Sequence, residues 1–326
     1  MPEEISTEQY IQLFLGMLYD QERETNALWL ELDEELRLHN RFMPQSRFCE
    51  KLTSLSEVSK TVLKKDCIMY RSRLIAKEKE FSFQAKLLDE QFGIIHEICP
   101  ELNLTGDRSE IIKFVINLNN KPEMATQLYE KFGDMFKKYS VKDNMFWGYD
   151  ATASDAPPSG ITSAGRINPC GISYLYAAGD LKTSVLEVRP VIAQYVSIAE
   201  IEITEDCVMF DFSKKNIPNN EKVLLQGIDY GVISQYFSQP NYGGESYYYV
   251  TQYVSEYIKN IKDSSGNCIF DGICFNSSLN PEGINYFLFD TSKKRKYHVM
   301  NSGLYQVKDL LGNTNCVLPA DIRMWT

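Results

Sequence analysis

The stretch Gly165-Arg166-Ile167-Asn168-Pro169-Cys170-Gly171-Ile172-Ser173-Tyr174-Leu175-Tyr176-Ala177-Ala178-Gly179-Asp180, followed by Leu181 to Glu187, decides the fold. Its first seven residues are turn formers around a single arginine, and one proline with two glycines breaks any helix there. Residues 172 to 177 then read as a strand, Gly179-Asp180 closes it, and a helix is predicted from about 183 to 188. Turn, strand, turn and helix in so few residues exclude an all-helical chain. Arg166 falls at the strand entrance, Tyr176 near its exit, and Glu187 eleven residues further on. Val185, Leu186 and Val188 around Glu187 predict a helix packed on more than one side, with a carboxylate partly buried or facing a cleft.

Working outward, strands are predicted at 196 to 203, 269 to 275 and 286 to 290, after a turn-rich loop at 155 to 160. Upstream, Cys67 to Leu74 reads as a strand with Arg71 and Arg73 at alternate positions, so both point the same way. Residues 82 to 145 change texture and are read as helical, one helix ending at Pro100, a second capped by Asp107 and Glu110, a third after Pro122. At the start, Ser6-Thr7-Glu8-Gln9 has capping-box spacing, and Tyr10, Leu13, Phe14, Met17 and Leu18 follow at helical intervals, continued by Leu28, Leu32 and Leu36. The expectation is an α+β chain: an acidic helical segment over 1–60, then a mixed-sheet domain over 61–326 with a helical insertion at about 82–145.

The totals narrow the function classes. Of 326 residues, 34 are Lys or Arg and 44 are Asp or Glu, a net charge of −10, which argues against a general affinity for nucleic acid or an anionic membrane. Residues 1–40 hold ten acids against Arg23 and Arg37, so −8 of the −10 sits there and an anionic ligand is not repelled by the rest. The eight cysteines are scattered without a C-x-x-C pair or a histidine cluster, which sets zinc and dithiol readings aside and fits reduced thiols. The first residues carry no basic or apolar signal region, and no stretch reaches roughly 18 uncharged apolar residues, so a cytoplasmic location is expected. Tyr247, Tyr248, Tyr249, Tyr253 and Tyr257 suggest a base-stacking platform at first sight. The acidic balance gives such a platform no electrostatic groove, and a sheet face continuing into a helix is the expected reading.

The run G-R-x-N-P-x-G-x-x-x-L-Y, then a helix carrying T-x-x-x-E-V-R-P, resembles the RES-domain family. The likeness takes in Tyr70-Arg71-Ser72-Arg73, Phe146 to Asp150, the loop at 155 to 160, Thr251-Gln252-Tyr253, Asp271 to Ser278, and Gly283-Ile284-Asn285-Tyr286. What the resemblance implies is a fold related to ADP-ribosyltransferases and the destruction of NAD⁺ by hydrolysis or phosphorolysis, often in bacterial toxins. By match to the motifs it implies Arg71, Arg166, Tyr176, Glu187 and Ser277 as the site. Arg73, Ser278 and Asn285 are their alternates or neighbours in the same motifs. NAD⁺ enters as substrate, with no cofactor and no metal. An antitoxin or regulatory protein and self-assembly are the partners to be expected; nucleic acid and membrane are not.

The residue types suit that chemistry on their own terms. A pyrophosphate calls for the planar, permanently charged fork of arginine, which Arg71 and Arg166 offer. Loss of nicotinamide leaves positive charge on the ribose, and a fixed carboxylate such as Glu187 stabilises it. Tyr176 has a ring to stack on nicotinamide and a hydroxyl to donate, and Ser277 has a hydroxyl to orient a ribose or the nicotinamide amide. The plainer readings are a surface ion pair for Arg166, a core position for Tyr176, a structural acid for Glu187 and an ordinary turn for Ser277. Two other functions use the same groups: ADP-ribosyl transfer to a macromolecule, and nucleotide binding without turnover.

Overall fold

A computed structural model describes residues 6–76, 89, 91–100, 113, 114, 116, 118, 120–139, 146–213, 221–238, 248–289, 295–309 and 314–318. In chain order its elements are α1 (Thr7–Glu34, continued by a π-helical turn Glu35–His39), α2 (Arg47–Leu55), β1 (Lys60–Leu63), β2 (Ile68–Leu74), α3 (Pro122–Tyr139), α4 (Ala151–Ser154), β3 (Leu175–Ala178), α5 (Leu181–Glu187), β4 (Tyr195–Ile203), β5 (Cys207–Asp211), α6 (Glu221–Ser238), α7 (Tyr249–Lys259), β6 (Gly272–Asn276), β7 (Ile284–Leu288), β8 (Tyr297–Val307) and β9 (Thr314–Leu318). Helices and a mixed sheet make this an α+β fold.

Contacts divide the chain into two compact units. The first comprises Met1–Tyr70, Asp155–Glu187 and Glu202–His298. Its strands run in the order β1-β5-β6-β7-β3, and Tyr70 of β2 pairs with Ala178 of β3. The β5–β6 pair is parallel and the others are antiparallel. The β3–β7 register sets Tyr176 against Phe287 and Ala178 against Asn285. Side chains two apart on a strand, and those directly opposite across a pair, share a face, so Tyr176, Phe287 and Asn285 lie on one side of the sheet.

One continuous core covers that side. Tyr174, Phe275, Phe287 and Phe289 meet Phe237 of α6 and Val250, Val254 and Ile258 of α7. The valines and isoleucine recur every four residues, which is the helical period and why the tyrosine run forms a helix from Tyr249 rather than a sheet face. Tyr247 lies outside the described residues. Leu28, Trp29, Leu32 and Leu36 of α1 and its π turn, with Phe48, Leu52 and Leu55 of α2, enter the same core. Trp29 stacks on Tyr236 with ring centroids 4.3 Å apart and meets Phe48 edge-on at 5.4 Å. Each such fully buried side chain contributes roughly 1.5–3 kcal/mol. The N-terminal helices are therefore built into the core that carries β5 and β6.

The capping box is present as expected: Ser6 Oγ accepts from Gln9 N, and the Gln9 side chain accepts from Ser6 N. The stripe that follows differs. Burial on α1 begins only at Thr25, and Tyr10, Leu13 and Met17 are exposed.

The second unit comprises Arg71–Ser154, Val188–Ile201 and Val299–Thr326. In it β4, β8 and β9 are neighbours in that order, and Trp147, Tyr149 and Tyr195 pack on Ile75 and Leu304. Cys99, Phe114 and Leu128 form a small apolar cluster with Ile94, Ile95 and Phe132, so the inserted stretch has its own helical core. The cap expected at Asp107 and Glu110 falls outside the described residues, and residues 113, 114, 116, 118 and 120 after it are helical, as expected.

Candidate active site

The site grows from the turn that opens at Gly165. Asn168 is buried and uses its whole amide: Nδ2 donates to the carbonyls of Ser163 at 3.0 Å, Pro169 at 3.3 Å and Ile172 at 3.0 Å, and Oδ1 accepts from the Tyr176 hydroxyl at 2.5 Å. Because the Ile172 carbonyl is spent on Asn168, the chain is not a strand at 172; β3 starts at Leu175, three residues later than predicted. A Cβ on residue 165 would stand 2.5 Å from Asn168 Oδ1 and 2.9 Å from the Tyr176 hydroxyl, so only glycine fits before Arg166. The turn is clamped from α7, where Gln252 Nε2 donates to the Gly165 carbonyl at 2.7 Å and Thr251 Oγ1 to the Arg166 carbonyl at 2.5 Å.

This arrangement leaves Arg166 half-buried, with a guanidinium N–H donated to the Phe237 carbonyl in the last turn of α6. A cation at a helix C-terminus is favoured by the dipole and by the unsatisfied carbonyls there. Tyr176 is half-buried, its ring edge-on to Phe287 at 4.3 Å. Burial pushes its phenol well above the ordinary tyrosine range, against the opposing pull of its bonds to the turn and of Arg166. It stays protonated and acts as a hydrogen-bond donor, not a base.

A second cluster forms around α5. Asp180 caps that helix, accepting from Thr183 N at 2.8 Å and Thr183 Oγ1 at 2.6 Å. One turn on, Glu187 Oε1 accepts from two buried groups, Ser277 Oγ at 2.6 Å and Asn285 Nδ2 at 2.7 Å. The glutamate itself is exposed, which overturns the first of the two expectations for it, a partly buried side chain, and leaves the second, a carboxylate facing a cleft. The buried part of the site is its anchor, not the acid. Ser277 directly follows β6 and holds its own turn, accepting from Leu279 N at 3.1 Å and Asn280 N at 3.2 Å. Asn280 then donates to Thr183 Oγ1 at 2.8 Å. The 277–283 turn is thus tied to both ends of α5, and a Cβ at Gly283 would fall 2.0 Å from Thr183 Oγ1.

Arg166, Tyr176, Glu187, Ser277 and Asn285 all belong to the first unit. Ser277, not Ser278, bears the bond to Glu187; Ser278 is exposed. Arg71 and Arg73 are on the part of β2 that belongs to the second unit, where Arg73 donates to the Ala153 carbonyl and lies 5.5 Å over the Tyr149 ring. The residues that sequence reasoning missed are the holders: Asn168, Thr183, Thr251, Gln252 and Asn280. All but Asn280 stand inside a quoted motif, so for those the signal was there as a polar side chain at a fixed offset from the expected site residue.

The RES domain matches residues 139–306. That stretch covers more than half of the chain and contains both polar clusters. The chain belongs to the RES-domain family. No curated protein and no solved structure matches it. Arg71 and Arg73 precede the stretch that defines this RES domain, whereas every other candidate lies inside it. A cavity of about 250 Å³ opens elsewhere in the first unit, beside Lys259, Asp271, Phe289 and Lys296. Its lysines are paired with Glu256 at 3.8 Å and Asp271 at 2.8 Å.

Removing the Asn168 side chain tests the turn. Asn168→Ala deletes three donated bonds and the acceptor for a buried phenol, and is expected to cost about 2–3 kcal/mol of stability. Urea unfolding followed by tyrosine and tryptophan fluorescence reads this directly. A loss under about 0.5 kcal/mol would mean that water replaces the amide and that α7 alone shapes the turn.

Proposed function

We propose that this RES domain cleaves the bond between nicotinamide and ribose in NAD⁺, with water or inorganic phosphate as acceptor, as an NAD-depleting toxin or defence effector. The observation that carries the reading is the Glu187 carboxylate. One oxygen is held by two buried donors, one just after β6 and one on β7, and the side chain is exposed. With Oε1 engaged, Oε2 is the oxygen offered to the ribose.

In that reaction the C1′–N bond breaks and its electron pair goes to the nicotinamide nitrogen, which becomes neutral. Positive charge develops on the ribose at C1′ and its ring oxygen, and the fixed carboxylate stabilises it without reorganising. Water then bonds to C1′ and releases a proton, giving ADP-ribose; phosphate in its place gives the 1″-phosphate. Arg166 spends one of its five N–H donors on Phe237, and the others suit the pyrophosphate. Tyr176 offers its partly exposed ring to the nicotinamide side of the substrate, its hydroxyl being committed to Asn168. Arg71 and Arg73 remain candidates for a further phosphate contact.

Incubating the purified chain with NAD⁺, with and without phosphate, and resolving the products by chromatography and mass tests the proposal. Free nicotinamide with ADP-ribose or its 1″-phosphate is the expected result. Label transferred from NAD⁺ onto macromolecules would replace it with ADP-ribosyl transfer, and tight NAD⁺ binding without nicotinamide release would replace it with a binding module.

A further inference from the structure

The tyrosine run at the start of α7 divides by its contacts. Tyr249 lies beneath the Arg41 guanidinium at 4.2 Å, the Tyr253 hydroxyl meets Cys49 Sγ at 3.9 Å, and the Tyr257 hydroxyl bonds Thr53 Oγ1 at 2.8 Å. Those three turn to the N-terminal segment. Tyr248 does not. It is half-buried and stands outside the apolar core that takes in Tyr176, Tyr253 and Tyr257. Among the described residues its hydroxyl makes no hydrogen bond and its ring meets no other ring.

The place of Tyr248 is fixed from the other side. It precedes α7 with near-helical backbone angles, φ −92° and ψ −3°, and Thr251 and Gln252 follow three and four residues on, so all three share a face of that helix. That face clamps the Gly165–Arg166 turn: Gln252 bonds the Gly165 carbonyl, and the Thr251 hydroxyl touches both the Arg166 carbonyl at 2.5 Å and the Tyr248 carbonyl at 3.1 Å. The Tyr176 phenol, raised mainly by burial, also feels Tyr248. An idle aromatic ring therefore stands beside Arg166 and Tyr176.

We infer, on the reading of this site as NAD⁺-cleaving, that Tyr248 is a further substrate-binding residue whose ring, with that of Tyr176, receives the nicotinamide ring of NAD⁺. Charge selects nicotinamide over adenine. The oxidised nicotinamide is a flat cation and the negative face of a tyrosine ring attracts it, whereas adenine is neutral. Tyr248 is also spent neither on the core nor on a neighbouring side chain. The contact belongs to the ground state. Once the C1′–N bond breaks, the positive charge moves to the ribose and the departing nicotinamide is held less tightly. Loss of the contact therefore raises KM without lowering kcat.

Nicotinamide release by wild type, Tyr248→Ala and Tyr248→Phe, measured over a range of NAD⁺ concentrations, tests this. Tyr248→Ala is expected to raise KM about tenfold with kcat no lower, and Tyr248→Phe to keep the wild-type KM, because the ring and not the hydroxyl makes the contact. 1-Methylnicotinamide, a cation with no ribose bond to cleave, is expected to inhibit Tyr248→Ala about tenfold less well than wild type, and AMP to inhibit both equally. Melting curves check that the variants fold. An unchanged KM in folded Tyr248→Ala overturns the inference. So does a fall in kcat, which makes Tyr248 a structural prop of the turn. Weaker inhibition by AMP with 1-methylnicotinamide unaffected overturns it too, and seats adenine there instead. A wild type that binds NAD⁺ without cleaving it overturns the cleavage reading alone, since the tenfold loss is then read from NAD⁺ affinity; one that does neither overturns both.

Discussion

Glu187→Gln is expected to lower the rate of nicotinamide release about 10³-fold, with a much smaller change in KM. Glutamine is close in shape to glutamate, and its carbonyl oxygen still accepts from Ser277 and Asn285, so the anchor just after β6 and on β7 survives. What is lost is the negative charge, which matters only when positive charge develops on the ribose. An interaction made only in the transition state lowers kcat and kcat/KM together, and that is the pattern to look for. Glu187→Ala is a poorer test, because it strands two buried donors and mixes stability with catalysis. The measurement is single-turnover nicotinamide release for wild type and variant at saturating NAD⁺, beside their melting curves. Full activity in a folded Glu187→Gln would assign the carboxylate to holding the 277–283 turn and send the search for the acid elsewhere.

Much of this site was legible as sequence because its parts are local. The turn at 165–171 needs glycine before Arg166, and the helix from Leu181 needs a cap at Asp180; both requirements are met within a few residues. The bonds from Ser277 and Asn285 to Glu187 are different. They span 90 and 98 positions and exist only because β7 pairs with β3 in the register that sets Asn285 opposite Ala178. A one-residue slip would turn Asn285 to the other face, and nothing local in the sequence reports that register. The exposure of Glu187 was hidden for the same reason, since of the apolar neighbours that suggested burial only Val185 is buried, while Leu186 and Val188 are half-buried and the acid is exposed. The tyrosine run misled because tyrosine favours strands, and the deciding period of Val250, Val254 and Ile258 lies between the aromatics. Apolar spacing on α1 predicted the helix correctly but could not say that burial begins only at Thr25.

Asp229→Ala is expected to cost about 3–5 kcal/mol, enough to unfold a large fraction of the chain near its melting temperature. Asp229 on α6 is 3% exposed, and its Oδ1 accepts from Lys51 Nζ at 2.8 Å, from Gln21 Nε2 at 2.8 Å and from Thr25 Oγ1. Lys51 also donates to Thr25 Oγ1 at 2.8 Å. One carboxylate therefore ties α1 and α2 to α6, the helix whose last turn receives Arg166. Truncating it leaves the Lys51 ammonium, only 13% exposed, without its main counter-charge, and that penalty exceeds the net worth of the pair itself. Asp229→Ala combined with Lys51→Met should recover much of the loss, because no buried charge then remains. Urea denaturation of the three proteins measures the difference. A cost below about 1 kcal/mol for Asp229→Ala would mean that water reaches the pair and that apolar packing around Trp29 and Phe237 alone joins the N-terminal helices to the core. A cost in the expected range makes residues 6–55 part of the scaffold that holds Arg166, and their deletion would then remove activity along with the fold.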